Sequence, residues 1–125
     1  MSLILIIEDN ELDADMLSRR LARKGYEVIT AADGKSGLAA ARDRRPDLVI
    51  MDMGLPVIDG WEVTRLLRES PATASIPVVA LTAHAMAEDR ARGLAAGCDR
   101  YETKPLEFDR LLSSVELLLH KGRYS

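Results

Sequence analysis

The sequence predicts an α/β fold, a doubly wound five-stranded parallel sheet with five helices on its two faces. Three observations predict it. Short aliphatic runs alternate five times with longer stretches of helical periodicity along the 125 residues, and strict alternation of that kind places helices over both faces of a parallel sheet through right-handed crossovers. Leu3 to Ile7 is aliphatic at every position, as a strand covered on both sides requires. Glycine and proline fall between the runs, where elements should stop.

The elements follow in order. Leu3 to Ile7 is the first strand. Leu12 to Lys24 is helical, with Leu12, Met16, Leu17 and Leu21 on one side and Gly25 at its end. Glu27 to Ala31 reads as the second strand and Lys35 to Arg44 as an alanine-rich helix. Pro46 breaks the chain before Leu48 to Met51, the third strand. Gly60 to Glu69 is the third helix, ended by Ser70 and Pro71. Pro77 opens the fourth strand, Val78 to Leu81, and a fourth helix around Ala87 to Ala95 stops at Gly97. A short fifth strand lies near Arg100 to Thr103. The last helix carries the clearest stripe: Phe108, Leu111, Leu112, Val115, Leu118 and Leu119. The boundaries are one domain over 1–121 and a short tail over 122–125, with no output domain expected after it.

Composition excludes several classes of function. Apolar residues make up 47% and charged residues 30%, which suits a soluble globular domain. The net charge of −3 argues against a nucleic-acid or acidic-membrane partner. The densest basic cluster, Arg42, Arg44 and Arg45, is interrupted by Asp43 and reads as a solvated helix end. The single cysteine, Cys98, cannot form an internal disulfide and reads as a small buried thiol. The apolar start runs into Glu8 and Asp9, too soon for a membrane span or a signal peptide. The expectation is a soluble cytoplasmic protein.

In such sheets the site lies beyond the carboxyl ends of the strands. The first strand ends in Glu8 and Asp9, the third in Asp52, and the fourth in Thr82; the fifth leads to Lys104. Three carboxylates crowded at one rim raise each other's pKa unless a cation sits among them. A hard divalent ion fits, and Mg²⁺ fits best because it retains waters and accepts phosphate oxygens. A hydroxyl and an ammonium across Asp52 from the metal suit a phosphoryl group, and an aspartate can itself accept one.

The chain resembles, over essentially its whole length, the receiver domains of two-component response regulators. The resemblance rests on Glu8-Asp9, on Asp52 at the end of the run from Pro46, on Pro56, Asp59-Gly60, Leu81-Thr82-Ala83, Gly97-Cys98 and Lys104-Pro105. It implies the flavodoxin-like receiver fold with strand order 2-1-3-4-5 and a single-domain switch phosphorylated by a histidine kinase or histidine phosphotransfer protein. It implies that Asp52 is the phosphoacceptor and that Glu8, Asp9, Asp52 and the backbone carbonyl of Gly54 hold Mg²⁺, with Mn²⁺ as a possible substitute. It makes Thr82 the switch hydroxyl, Lys104 the phosphate-binding cation, Tyr101 the aromatic residue that moves with Thr82, and Pro105 a cis-proline. It further implies signalling through the face of the fourth helix, fifth strand and fifth helix, as a monomer or a phosphorylation-dependent dimer.

Read singly, several of these residues have plainer roles. Glu8 and Asp9 can cap the next helix, Asp52 can be a turn residue, and Thr82 can be an N-cap. Tyr101 can simply pack, and Lys104 can be a surface lysine. His84, two past Thr82, is either a modulator of phosphoryl loss or a surface residue, and His120 reads as a solvated helix end. Gly34-Lys35-Ser36 is not a phosphate loop, because Ile29 stands where that loop needs a glycine.

Two departures from the family pattern stand out. Gly54 is small for a position that commonly bears a longer side chain, which predicts an open site and a short-lived phospho-form. Glu102 and Thr103 are polar for a fifth strand, so part of it should face solvent or a partner. Hydrolases that form aspartyl-phosphates carry a second Asp where Gly54 stands, so no turnover of an external substrate is expected. A flavin carrier of this topology would need a phosphate-binding loop where Glu8-Asp9-Asn10-Glu11 stands. The competing readings are a phosphorylation-independent binding module of the same fold and a receiver segment of a hybrid histidine kinase.

Overall fold

A computed structural model describes residues 2–83 and 96–124, with side chains through residue 120. Five strands, β1 Leu3–Ile7, β2 Glu27–Ala31, β3 Leu48–Asp52, β4 Val78–Thr82 and β5 Arg100–Thr103, form one sheet in the order β2-β1-β3-β4-β5. Every pairing is parallel. Among the described residues the helices are α1 Glu11–Arg23, α2 Gly34–Arg44, α3 Gly60–Glu69 and α4 Phe108–Tyr124. The helix expected around Ala87 to Ala95 lies outside the described residues. The final helix extends into the segment that the sequence reads as a tail.

The alternation of side chains along each strand builds two cores. Leu5, Ile7, Val49, Met51, Val78 and Ala80 face one side, where α2 and α3 cover them with Leu38, Ala41, Val63 and Leu67. Ile4, Ile6, Leu48, Ile50, Val79 and Leu81 face the other, covered by Leu17 and Leu21 of α1 and by Leu111, Val115 and Leu118 of α4. This explains why β1, β3 and β4 read as uninterrupted aliphatic runs: both faces of each are buried. The edge strands β2 and β5 have one neighbour each, and their polar residues are correspondingly half-buried or exposed.

Helix starts follow local chemistry. Asn10, Asp33 and Asp59 each sit in extended backbone and accept, with a side-chain oxygen, the N–H three residues on. Each such cap contributes about 1 kcal/mol. Arg45 ends α2 in the left-handed region, at φ 45°, a place glycine more often takes.

One face assignment needs correction. Leu17 and Leu21 are buried, but Leu12 is 81% exposed and Met16 46% exposed. Apolar spacing marks the face of α1, but it does not set how far around the helix the core reaches. The predicted stripe on the last helix is buried as expected, with Leu111, Val115 and Leu118 inside and Phe108, Leu112 and Leu119 packed against them. Arg20 of α1 lies 5.1 Å above the Phe108 ring.

Candidate functional site: an acidic cluster at the carboxyl rim

The sheet register brings the sequence-distant residues together. Ile7 stands beside Met51, and Asp52 beside Leu81. Glu8, Asp52 and Thr82 therefore meet at one rim, all three buried, with Asp9 exposed next to them. One oxygen from each of Glu8, Asp9 and Asp52 lies within 4.8 Å of the others. Lys104 reaches this cluster from beyond β5, its Nζ 3.4 Å from Glu8 Oε1 and 3.6 Å from Asp52 Oδ1. The Lys104 N–H donates to the Thr82 carbonyl at 2.7 Å, which ties the lysine's backbone to the end of β4. The Lys104-Pro105 bond is cis.

Local backbone completes the acidic pocket. Gly54 N–H donates to Asp52 Oδ1 at 3.0 Å, and Asn10 N–H donates to Glu8 Oε2 at 3.4 Å. Among the described residues a methyl at Gly54 would meet only Asp52 Oδ1, at 3.7 Å, and nothing else of them fills the space above Asp52. Gly60 is the opposite case. A Cβ there would lie 2.6 Å from the Asp52 carbonyl oxygen and 2.7 Å from Met53 Cα. Only glycine lets the start of α3 press against the end of β3. Gly60→Ala is expected to cost about 1–3 kcal/mol, because neither backbone neighbour can yield; the urea midpoint of the variant measures it.

The crowding of carboxylates resolves unevenly. Burial, with the hydrogen bond and negative charge of Asp52, raises Glu8 from its ordinary 4.5 to about 7. Asp52 moves the other way. Burial opposes its ionisation, but hydrogen bonds from Glu8 and Gly54 and the charge of Lys104 hold its carboxyl below the usual range. Asp52 is therefore the member of the buried pair kept ionised. Burial works against the Lys104 ammonium too, yet the charges of Asp52 and Glu8 outweigh it and hold its pKa high. The site thus pairs an ionised carboxylate with a fixed cation. An all-oxygen cluster of this kind suits a hard divalent ion.

Tyr101 is half-buried and packs against the core beneath α2 and α3. It stands beside Ala80 in the register, while Thr82, two residues on, stands beside Thr103. By strand parity Tyr101 and Thr82 share that face of the sheet. His84 lies outside the described residues, and His120 is exposed on α4. Cys98 is buried and free, its thiol pushed up by burial. Arg42, Arg44 and Arg45 are exposed, as a solvated helix end should be.

The model of the response regulator receiver domain matches residues 4–116. The chain belongs to the response regulator receiver domain family. Among curated relatives, the receiver domain is 38% identical over 116 residues to the polar-differentiation response regulator DivK of Brucella anthropi, covering 93% of this chain and 94% of that one. It is 41% identical to the DNA-binding dual master transcriptional regulator RpaA of Synechocystis, covering 94% of this chain but only 49% of RpaA. Among solved structures, the chemotaxis protein CheY4 of Vibrio cholerae superposes with a TM-score of 0.90 at 32% identity, over 94% of this chain and 98% of that one. The receiver domain of the sensor histidine kinase PA1611 of Pseudomonas aeruginosa, solved with a magnesium ion in its active-site cleft, gives 0.88 at 34% identity, over 95% and 98%. The strand order 2-1-3-4-5 predicted for this receiver domain is the one observed. No helix among its described residues is long and apolar enough to cross a membrane.

Sequence reasoning missed one contributor to the receiver site and, for Gly60 of the Asp59-Gly60 motif, the spatial reason for it. The N–H of Asn10 holds Glu8 while its side chain caps α1; an Asx residue directly after an acidic pair was the available signal. The spatial need for Gly60 had none, since the clash that forbids a side chain involves residues met only through the fold.

Proposed function

We propose that this receiver domain is a phosphorylation-activated switch that accepts a phosphoryl group on Asp52 from a histidine kinase or a histidine phosphotransfer protein. The supporting observation is the setting of Asp52: an ionised carboxylate with two acids beside it and the Lys104 ammonium 3.6 Å away. In the transfer, an Asp52 oxygen attacks the phosphorus of the donor's phosphohistidine. The P–N bond breaks as the P–O bond forms, and the imidazole leaves with the bonding pair and takes up a proton. Lys104 neutralises a phosphoryl oxygen and Thr82 donates its hydroxyl to another. Glu8, Asp9, Asp52 and the Gly54 carbonyl would hold Mg²⁺, or Mn²⁺ in its place, which when bound supplies the remaining positive charge. No external substrate is turned over.

Movement of Thr82 toward the phosphoryl group, with Tyr101 following on the same face, would bias a two-state equilibrium. Its output face includes β5 and the final helix, α4, read by a downstream protein or a second copy of the chain. The donor has a separate seat. Exposed Met16 lines a groove together with Glu8, Lys104, Pro105 and Leu106, so apolar contact there would hold a phosphohistidine near Asp52. The same chemistry serves a receiver segment of a hybrid kinase.

The direct test is incubation with Mg²⁺ and acetyl phosphate or beryllofluoride, followed by Trp61 fluorescence and intact mass. A Mg²⁺-dependent response in both supports the switch. Neither response nor Mg²⁺ binding would leave a phosphorylation-independent binding module.

Two further outcomes follow. Gly54→Met would fill the open space over Asp52 and is expected to lengthen the phospho-form's lifetime several-fold by excluding water; an unchanged dephosphorylation rate would refute the open-site reading. The second concerns pH. Glu8 holds its proton in the metal-free fold up to about pH 7, and a divalent ion binds the deprotonated form. Apparent Mg²⁺ affinity is therefore expected to fall about tenfold per pH unit below 7, as one proton is displaced per ion. Stability has the matching sign. Because the folded pKa is raised, Glu8 destabilises the metal-free protein increasingly between pH 4.5 and 7, and Mg²⁺ lifts that cost. Titration calorimetry across pH 5.5–8 reads the first effect and thermal melts with and without Mg²⁺ the second.

A further inference from the structure

Arg68, near the end of α3, uses all five of its guanidinium N–H groups within the protein. Nε and Nη2 donate to the Gly97 carbonyl at 3.0 and 2.8 Å. Nη1 donates to the carbonyls of Ala74 and Ile76 at 3.2 and 2.7 Å, and Nη2 also donates to Asp99 Oδ2 at 2.8 Å. That carboxylate oxygen accepts the Val78 N–H as well, at 2.8 Å. One side chain thus ties the third helix to the loop before β4, to the first residue of β4, and to the turn that leads into β5. Gly97 fits this grip in two ways: its φ is +103°, and a Cβ there would lie 2.8 Å from Arg68 Cγ. Cys98 adds a weaker link, its Sγ 3.8 Å from Thr64 Oγ1 of the same helix.

The importance of this hub lies in what β5 lacks. Strand register is ordinarily fixed by the pattern of buried side chains, because a slip of one residue moves each to the wrong face. β5 has four residues and one sheet neighbour. Only Tyr101 among them is an apolar residue packed against a core. Glu102 instead accepts a hydrogen bond from the buried Ser114 hydroxyl of α4, at 2.7 Å. A strand so poor in apolar pattern holds its register weakly, and a one-residue slip would carry Lys104 about 3.3 Å along β4, away from Asp52.

We propose that Arg68 is the register pin of β5, a positioning residue that fixes the Gly97–Asp99 turn against α3 and β4 and thereby sets Lys104 beside Asp52. The effect on phosphorylation rests on the phosphoacceptor reading given above; the pinning itself does not. Arg68→Met keeps the aliphatic stem and removes the five donors. Amide hydrogen exchange in this variant is expected to rise at least tenfold across residues 99–104 and stay unchanged in β1 and β3. Arg68→Lys, which keeps the charge and can regain a bond to Gly97, is expected to recover part of the protection. Asp99→Asn should raise exchange in the same residues, less than Arg68→Met does.

Phosphorylation by acetyl phosphate then tests the consequence. Arg68→Met is expected to slow it several-fold, and the double variant with Lys104→Ala should be no slower than Lys104→Ala alone, because both act through the same ammonium. A residue of merely structural weight would slow the double variant further. Unchanged exchange in β5, or an equal rise in every strand, overturns the pin whatever the phosphorylation result. A wild-type protein that takes no phosphoryl group overturns the phosphoacceptor reading, and the exchange data still decide the pin.

Discussion

Asp52→Asn is expected to abolish phosphoryl incorporation from acetyl phosphate, a loss beyond roughly three orders of magnitude, since the proposed nucleophile is removed. The amide is nearly isosteric, so the fold should persist. Its second effect distinguishes it from a generally damaged variant. Glu8 owes its raised pKa to burial, to the hydrogen bond with Asp52 and to the Asp52 charge. Neutralising Asp52 removes that charge, so Glu8 should ionise at a lower pH and the metal-free protein should lose less stability between pH 5 and 8. Intact-mass measurement reads the first effect and thermal melts across pH the second. Phosphorylation that survives in the variant would mean that another side chain accepts the group, and the assignment of Asp52 would fall.

Lys104→Ala is expected to slow phosphorylation by about 10²–10³-fold, the usual consequence of deleting one preorganised partner of a developing anion. Lys104 is half-buried between Glu8 and Asp52, and its charge lowers the pKa of both acids. Without it both carboxyls should titrate at higher pH. Mg²⁺ should bind more tightly at pH 8, because the ion no longer competes with an ammonium for the same oxygens. Slower transfer together with stronger metal binding is the combined signature. Weaker metal binding in Lys104→Ala would indicate a collapsed site, and an unchanged rate would remove Lys104 from the chemistry. Trp61 fluorescence during acetyl phosphate addition and calorimetric Mg²⁺ titration provide the two readings.

The fold was legible because its signals are one-dimensional. β1, β3 and β4 declare themselves as aliphatic runs since each is covered on both faces, and glycine, proline and Asx residues mark where the chain must turn. The boundaries found from sequence for α3 are those observed, from Gly60 to Glu69. The site residues were legible for a related reason: a doubly wound sheet sends the end of every strand to one rim, so Glu8, Asp9, Asp52, Thr82 and Lys104 could be grouped from their places in the order alone. Leu12 and Met16 show the limit. Their spacing matches the buried stripe of α1, but they lie beyond the edge of the core at the carboxyl rim and stay exposed.

The sequence by itself thus determined the fold class, the family and the set of residues at the rim, since these depend on residue order and local pattern. The tertiary structure alone decided how the set behaves. That Asp52 stays ionised while Glu8 takes the proton depends on the hydrogen bond between the two carboxyls and on the Gly54 N–H held against Asp52. That Gly60 admits no side chain depends on the Asp52 carbonyl 2.6 Å away. That a weakly patterned edge strand holds Lys104 in place depends on an arginine 36 residues earlier in the chain. Each is a through-space effect of groups distant in sequence or turned toward one another by the backbone, and distances of that kind have no signature in residue order.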